Sequence, residues 1–520
     1  MRMLPSRYLN PRPAQIKRQV AALRHVSAPL KGLSLSSKLT PGDPLSAVVL
    51  DNWVIEPNRI VSRPGTELAL THGTAPIETL VPFYGSPNKI AAATGGALVL
   101  LDNTVISSGW LGNDWSWTSF SNLSATKYTV MVNGSAGVVS WDGTTTTVET
   151  VTAPVGEAWI VPANFDKVLS HMNRLWFADA SNLAVYYLPI QSKSGTLKFI
   201  PLNAVFKRGG SIRALYTWTL DGGFGMEDQL VIFSTNGEAV VYRGLDPDTD
   251  FSLVGIYRFD SPMSKHSVVN WGGDLYCLIS TGLVPMSTLM RAESEQLGKS
   301  DRDVFTAFQE VSAIRRDAPG WMVINNPGGG SLICNMPQGG INTYKQMVRF
   351  MPNPVWASWS NLPARCWGWV NDRLFFGSDN GKVYEMSADF LNDDGQPIKI
   401  DVQAAWSNYG TPANKLFKMI LPYVESDGVP MPFIDMKVDY DLSPPFNQPD
   451  VSAGGAGGGT WDVAPWDTSD WGLSLIPYQN WSGVGVLGRV GAPRLVALVK
   501  DCQFTLNGWD VLYETGSVFG

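Results

Sequence analysis

The sequence predicts an all-β protein whose central part is a β-propeller of six or seven blades, with six favoured. Residues 371–386 have the pattern of a β-hairpin, because alternating apolar runs lie on either side of Asn380-Gly381. Stretches of the same design occur at 173–188 and 228–243, and another begins at 274. The 51 glycines, 35 prolines and 11% aromatic residues suit turns and pleated strands.

These hairpins recur at a spacing typical of propeller blades. The strand positions taken as equivalent are Leu175, Leu230, Leu275, Val323 and Leu374, at intervals of 55, 45, 48 and 51 residues. A four-stranded blade occupies roughly 40 to 50 residues. Since adjacent blades bury each other's faces, the whole ring is expected to form one unit.

The chain of 520 residues is expected to divide into four parts. These are an N-terminal arm at 1–45, a joining segment of strands and turns at 46–74, the propeller at 75–390 and a C-terminal β domain at 391–520. In the arm, residues 15–26 carry apolar side chains at helical spacing and predict a short amphipathic helix. That helix would dock on its own chain or on a neighbouring subunit.

Two stretches break the blade pattern. The first predicts a helical insert at 291–317, which would pack on its own blade or mediate a contact. Its apolar face would comprise Val304, Phe305, Phe308, Val311 and Ile314. The second is a glycine-rich link at 453–460 followed by three tryptophans at five-residue intervals, which predict a loop docking into apolar pockets. These are Trp461, Trp466 and Trp471.

Charge and cysteine usage limit the possible functions. The net charge of −7 leaves no basic footprint for gripping nucleic acid, although an acidic channel would repel phosphate and let DNA pass. A charged fraction of only 16% hints at large interfaces. The four cysteines, with no C-x-x-C pair, predict buried, reduced thiols and folding in a reducing cytosol. We expect neither a signal peptide nor a membrane span.

Residues that could carry chemistry give weak signals. The four histidines lack zinc-ligand spacing. Asp246, Asp248 and Asp250 alternate as in a calcium loop, but Phe251 and Tyr257 occupy the positions that need glycine and glutamate, which leaves a solvated turn as the favoured interpretation.

A carboxylate cluster near a glycine-rich turn would suit glycoside hydrolysis only if two members face each other; otherwise it is a solvated turn. The cluster consists of Asp221, Glu227 and Asp228. Residues 328–331 lack the lysine of a phosphate-binding loop and predict a hairpin turn. The sequence therefore predicts no catalytic residue, metal or cofactor.

The order of several short motifs resembles a known family. The N-terminal motifs are Gly-Leu at 32–33, Asp-Pro-Leu at 43–45, Leu-Asp-Asn-Trp at 50–53 and Arg-Pro-Gly at 63–65. The C-terminal motifs are Arg-Cys-Trp at 365–367, Leu-Phe-Phe-Gly at 374–377, Asn-Gly at 380–381 and the later Trp-Asp pairs. Over about residues 30–515 this order resembles the tail nozzle (tail tubular B) and packaged-DNA stabilisation proteins of short-tailed double-stranded DNA bacteriophages. The helical insert departs from the pattern.

The resemblance implies a structural virion protein of the tail and no enzyme. It would form a ring, expected to be a hexamer, below the portal and adaptor, and would extend the DNA ejection channel and help retain packaged DNA. The implied partners are the adaptor or connector ring, a plug or needle, and tail fibre or spike proteins, with DNA passing through without specific binding. Assembly would take place in the host cytoplasm.

Position and resemblance together select a set of interface candidates. They are Arg18, Arg24, Asp51, Asn52, Trp53, Arg59, Arg63, Trp461, Trp466 and Trp471. The alternative function is a carbohydrate-binding or glycan-hydrolysing propeller, for which two carboxylates should face each other in a cleft on the propeller axis.

Overall fold

The structure is a computed structural model. It describes residues 21–36, 42–221, 226–291, 302–351, 353–445, 449–454 and 475–516. These residues form a propeller and a second β domain made of two large sheets. None of the helices in these ranges is both long enough and apolar enough to cross a membrane.

The N-terminal strands are part of the second domain. They are β1 (Ala22–Ser27), β2 (Ala47–Asp51), β3 (Trp53–Ile55) and β4 (Ile60–Ser62). β1 pairs antiparallel with the last strand of the chain, Phe504–Thr515, over its whole length. The predicted helix at 15–26 is therefore wrong from Ala22 onward, because pairing with a distant strand outweighs weak helical periodicity. Residues 15–20, with Arg18, lie outside the described residues.

The propeller contains six free-standing sheets among the described residues, which confirms the predicted fold class. Its first strand along the chain is β5 (Gly65–Thr71). The first blade comprises β6 (Ile77–Phe83), β7 (Lys89–Thr94), β8 (Ala97–Leu100) and β9 (Val105–Ser108). The second comprises β10 (Ser116–Ser121), β11 (Lys127–Val132), β12 (Val139–Trp141) and β13 (Thr146–Val148).

The next three blades continue the meander. The third comprises β15 (Phe165–His171), β16 (Arg174–Asp179), β17 (Ala184–Tyr187) and β19 (Lys198–Pro201), beside a short parallel pair of β14 (Val151–Thr152) and β18 (Gly195–Thr196). The fourth comprises β20 (Ile212–Asp221), β21 (Met226–Ser234), β22 (Glu238–Arg243) and β23 (Ser252–Arg258). The fifth has three strands, β24 (Val268–Trp271), β25 (Asp274–Ile279) and β26 (Gly282–Pro285).

Two helices follow the fifth blade, and the second lies within the predicted helical insert at 291–317. They are α1 (Met286–Arg291) and α2 (Phe305–Arg315). Val304 and Phe308 are fully buried, whereas Ile314 is 81% exposed. The predicted apolar face is thus buried at its N-terminal half, and the C-terminal end of the helix faces solvent.

A further meander lies between the fifth blade and the last one. It comprises β27 (Met322–Asn326), β28 (Ser331–Pro337), β29 (Tyr344–Phe350) and β30 (Val355–Trp359). β27 contacts the inner strands of the fifth and last blades. The fourth strand of the meander, β30, pairs with β2, so this sheet continues into the second domain. Val323 lies in the first strand of this meander, whereas Leu374 and the other chosen positions lie in second strands, so their predicted equivalence is wrong at Val323.

The last blade closes the ring with a strand from the N-terminal part. It comprises β31 (Cys366–Val370), β32 (Arg373–Gly377) and β33 (Lys382–Ser387), with β5 as its outer strand. The hairpin at 371–386 is confirmed. Since strands far apart in the chain share this blade, opening the ring requires breaking a whole strand pair.

The second domain follows directly. Its remaining strands are β34 (Ile398–Ala404), β35 (Lys415–Ser426), β36 (Gly428–Val429), β37 (Phe433–Val438), β38 (Val451–Gly454), β39 (Ile476–Tyr478), β40 (Ser482–Gly488), β41 (Gly491–Lys500) and β42 (Phe504–Thr515). β42 and β35 are central to a seven-stranded sheet, and β34 and β41 to a ten-stranded sheet. The loop with Trp461, Trp466 and Trp471 lies outside the described residues.

Candidate functional site at the propeller axis and the domain junction

Charged side chains surround one end of the propeller axis. Each belongs to an inner strand or to the residues just before one: Glu78, Asp114, Lys167, Arg213, Lys265 and Arg365. The inner strands of successive blades run in the same direction around the axis, so residues near their starts meet at one end. We call this set the axial ring.

Asp114 is a carboxylate of the axial ring that contacts two nitrogen groups. Its Oδ2 lies 3.1 Å from Lys265 Nζ, and its Oδ1 lies 2.8 Å from His266 Nε2. Desolvation raises the pKa of Asp114, but Lys265 and His266 outweigh it and hold that pKa well below the ordinary range. The Asp114 side chain is 59% exposed, so solvent screens these charges.

The other carboxylates of this end are also paired with cations. Arg365 contacts Glu78 Oε1 at 3.2 Å and Asp379 Oδ1 at 2.9 Å. Lys167 Nζ lies 2.7 Å from Asp166 Oδ2. A glycoside hydrolase needs one carboxylic acid of raised pKa. The carboxylates described at this end instead lie within ion-pair distance of Lys or Arg side chains.

The predicted interface stretch at 51–63 forms the joint between the domains. Asn52 and Trp53 are fully buried and Arg63 is 1% exposed. Trp53 packs edge-on against Phe504 with ring centroids 6.1 Å apart. These three side chains are therefore committed to contacts within the chain, and their surfaces are not available to a partner.

Arg63 links three segments of this joint. Its Nη2 and Nη1 donate to Asp393 Oδ2 and Oδ1 at 2.6 and 2.9 Å, and its Nε donates to Asn52 Oδ1 at 2.8 Å. Asn52 has φ 63°, a left-handed conformation that asparagine tolerates better than most residues. Its Nδ2 donates to Lys399 O at 2.7 Å. The network fixes the turn between β2 and β3 against β34.

The other described candidates of that set are less buried. Asp51 accepts a hydrogen bond from Ser358 Oγ at 2.8 Å and another from Ser360 Oγ. Burial raises the pKa of Asp51, and the Ser360 hydroxyl opposes that shift. Arg59 pairs with Glu56 at 2.6 Å on the surface, and Arg24 is exposed on β1.

A cleft of about 760 Å³ lies beside this joint, between the propeller and the second domain. Its walls include the turn at 328–330, the β3–β4 hairpin and the ion pair between Arg373 and Glu385. The buried Ser331 Oγ on this wall has no hydrogen-bond partner among the described residues. The glycine-rich stretch predicted as a hairpin turn is the link between β27 and β28, where it contains a 3-10 turn at Pro327–Gly329.

The aspartates that alternate as in a calcium loop form a turn stabilised by their own neighbours. Asp246 pairs with Arg174, Asp248 with Lys198, and Asp250 accepts the backbone N–H groups of residues 245 and 246. The carboxylates of this turn are paired within the chain, in agreement with the turn that the sequence favours over a calcium site. Within the described ranges, no group of three or more His, Cys, Asp or Glu residues is arranged to hold a metal ion.

The acidic cluster is on the β20–β21 hairpin, away from the axial ring. Glu227 lies 3.7 Å from Arg243 on the surface, and Asp228 accepts a hydrogen bond from Thr219 at 2.6 Å. The side chain of Asp221 lies outside the described part of the chain. Sequence reasoning missed the axial ring, although a charged residue near the start of each inner strand could have revealed it.

Comparisons with known proteins add little beyond the fold. No protein-family model and no curated protein matches the sequence. The extracellular domain of a hybrid two-component system from B. thetaiotaomicron matches with 13% identity and a TM-score of 0.38, over 62% of this chain and 45% of that one. The WD40 β-propeller domain of Doa1 matches with 11% identity and a TM-score of 0.38, over 62% of this chain and 97% of that one. The second of these structures is a β-propeller domain by its description.

Proposed function

We propose that the chain is a structural protein of a phage tail, a subunit of the nozzle or head-to-tail ring below the portal and adaptor. In that role it lines the channel for DNA ejection and helps retain the packaged genome. The proposal rests on the motif order over residues 30–515 and on one structural observation, an open strand edge suited to contact between subunits.

The open edge belongs to β1. Its strand partner among the described residues is β42, on one side, so its other side is unpaired there. Leu23 is 58% exposed on this strand, and Arg24 beside it is exposed. An unpaired strand edge readily accepts a strand or a loop from another chain. Head-to-tail contacts of this kind close into rings, and six copies are proposed here.

The joint between the domains also favours a structural role. Asn52, Trp53 and Arg63, which belong to the motifs carrying the resemblance, make buried contacts where the chain passes from the second domain to the last blade. A subunit that resists bending suits a channel wall. The cation-paired carboxylates of the axial ring weigh against the glycan-hydrolysing alternative.

Two measurements test this function. Immunogold electron microscopy of virus particles that carry this chain should label the short tail below the head. Size-exclusion chromatography with light scattering should show a ring for the wild type and a monomer for Leu23→Asp with Arg24→Glu, whereas Ile314→Asp should leave the ring intact. Absence of label from particles, together with binding of the free protein to a glycan array, would overturn the proposal.

A further inference from the structure

A second groove, of about 830 Å³, lies at the end of the propeller that carries the axial ring, between the fourth and fifth blades and α2. Three arginines line it: Arg208 before β20, Arg258 at the end of β23 and Arg316 just after α2. Asp260 is the carboxylate that lines it. In a chain with a net charge of −7, this groove is a local concentration of positive charge.

The three arginines differ in whether their guanidinium groups have hydrogen-bond or ion-pair partners. Arg316 Nη2 lies 3.0 Å from Asp260 Oδ1 and so neutralises that carboxylate. The guanidinium groups of Arg208 and Arg258 make no hydrogen bond or ion pair with any residue the structure describes. Burial and the nearby Arg316 guanidinium lower the pKa of Arg213, whose Nε has no hydrogen-bond partner in the described part of the chain. The groove thus has positive charge in excess of its own carboxylate.

The backbone beneath Arg208 is fixed in place. Its N–H donates to Glu238 Oε2 at 2.9 Å, and its carbonyl accepts from Asn236 Nδ2 at 2.8 Å. Arg208 Nη1 lies 3.8 Å from the point where a Cβ on Gly237 would stand, and that Cβ would be only 2.4 Å from Phe259 O. A side chain at position 237 is therefore excluded, and the guanidinium lies over bare backbone. The backbone that carries Arg208 therefore needs no rearrangement on binding.

The groove also has an apolar wall. Phe305, at the start of α2, is half-buried beside it, and the buried side chains of Phe259 and Ile279 form its floor. Two unpartnered guanidinium groups beside an aromatic wall match a chain segment that carries carboxylates and one apolar side chain. The phosphate backbone of nucleic acid presents no apolar side chain to the aromatic wall.

We propose that this groove binds an acidic peptide segment of a partner protein, with carboxylates on Arg208 and Arg258 and an apolar side chain against Phe305. Arginine guanidinium groups bind carboxylates through paired hydrogen bonds, each worth about a tenfold change in affinity or more. This site does not depend on the chain being a tail protein.

Fluorescence anisotropy tests the site with a labelled short peptide of Asp and Glu around one central Leu. The wild type should bind it, and Arg208→Glu with Arg258→Glu should weaken binding by about a hundredfold, since each reversal removes one charged contact. Phe305→Ala should weaken binding several-fold. The matched control is Lys127→Glu with Arg243→Glu, which makes the same change in net charge at exposed residues outside the groove.

Three outcomes would overturn the site. They are no binding of the acidic peptide by the wild type, an equal loss in the control variant, or equal binding of a peptide with Gln and Asn replacing the acidic residues. Tighter binding of a labelled DNA duplex through Arg208 and Arg258 would also overturn it, in favour of a nucleic-acid surface. Circular dichroism spectra matching the wild type would confirm that each variant is folded.

Discussion

The guanidinium of Arg63 and the carboxylate of Asp393 form a two-point ion pair, with contacts of 2.6 and 2.9 Å, where the chain passes from the second domain to the propeller. Arg63 is 1% exposed and also donates to Asn52. The pair is desolvated. Removing one partner therefore leaves the other as an unpaired charge in a poorly solvated site. Removing both costs less than removing one.

Arg63→Ala should lower the free energy of unfolding by about 3–5 kcal/mol, because Asp393 and Asn52 lose their shared donor. Urea denaturation followed by tryptophan fluorescence measures this change. Arg59→Ala is the matched control, since its pair with Glu56 has side chains 35% and 38% exposed and should contribute at most about 1 kcal/mol. Equal losses in both variants would contradict the role of the Arg63 network.

Closure of the propeller gives a second prediction. Gly381 has φ 75°, and a Cβ there would lie 2.6 Å from the carbonyl oxygens of His72 and Gly73, just after β5. Gly395 has φ 80° and open space around it. Both changes to alanine incur the cost of a left-handed backbone, but Gly381→Ala should cost at least about 1 kcal/mol more because of the clash. Equal melting temperatures would refute the close approach.

The helical insert gives a third prediction. Phe308 is fully buried and stacks edge-on against Trp356, with ring centroids 5.7 Å apart. Phe308→Ala should therefore destabilise the protein by about 3–5 kcal/mol in urea denaturation. Ile314→Ala on the same helix, at a side chain 81% exposed, should change stability by less than about 0.5 kcal/mol. A large effect of Ile314→Ala would mean that α2 is covered by a partner.

The blades could be predicted from the sequence because their signals are local. Asn380-Gly381 and the alternating residues around it define a hairpin without reference to the rest of the chain. The pairing of β1 is not local: His25 Nδ1 meets Asp510 Oδ1 at 2.9 Å across a sequence separation of 485 residues. Val323 fits the interval between blades. Spacing alone, however, does not distinguish the first strand of a meander from the second.

The candidate site was harder to predict for a related reason. Trp and Arg are enriched in interfaces between proteins, so the types of Trp53 and Arg63 favour an interface. Their burial depends on Phe504 and Asp393, which the sequence pattern does not connect to them. Arg24 is exposed on a strand and not on the predicted helix.

The cysteines give a prediction about thiol reactivity. All four are free and buried, as the sequence analysis expects. Burial raises the pKa of the Cys366 thiol to about 12, so almost no thiolate forms near neutral pH. A thiol-specific chromogenic reagent at mildly alkaline pH should therefore report no fast thiol in the native protein and four after denaturation. A native thiol that reacts at once would contradict this burial.

The acid sensitivity of the fold should depend in part on His171. This side chain, 2% exposed, lies with Nδ1 3.0 Å from Thr217 Oγ1, and burial lowers its pKa from 6.5 to about 4, an effect that the charge of Asp228 partly opposes. Between those two values the unfolded chain binds a proton that the folded chain excludes, so stability falls as pH drops from 6.5 to 4.

The loss over this range reaches about 3 kcal/mol at most from this one group, since each pKa unit corresponds to about 1.4 kcal/mol. His171→Phe removes the titration while keeping an aromatic ring beside Trp176, so its urea midpoint should vary less with pH between 4 and 6.5. His72→Phe is the control, because His72 is half-buried near the surface and hydrogen-bonds to Asn103. If His171→Phe has the same pH profile as the wild type, the buried imidazole is not what limits stability in mild acid.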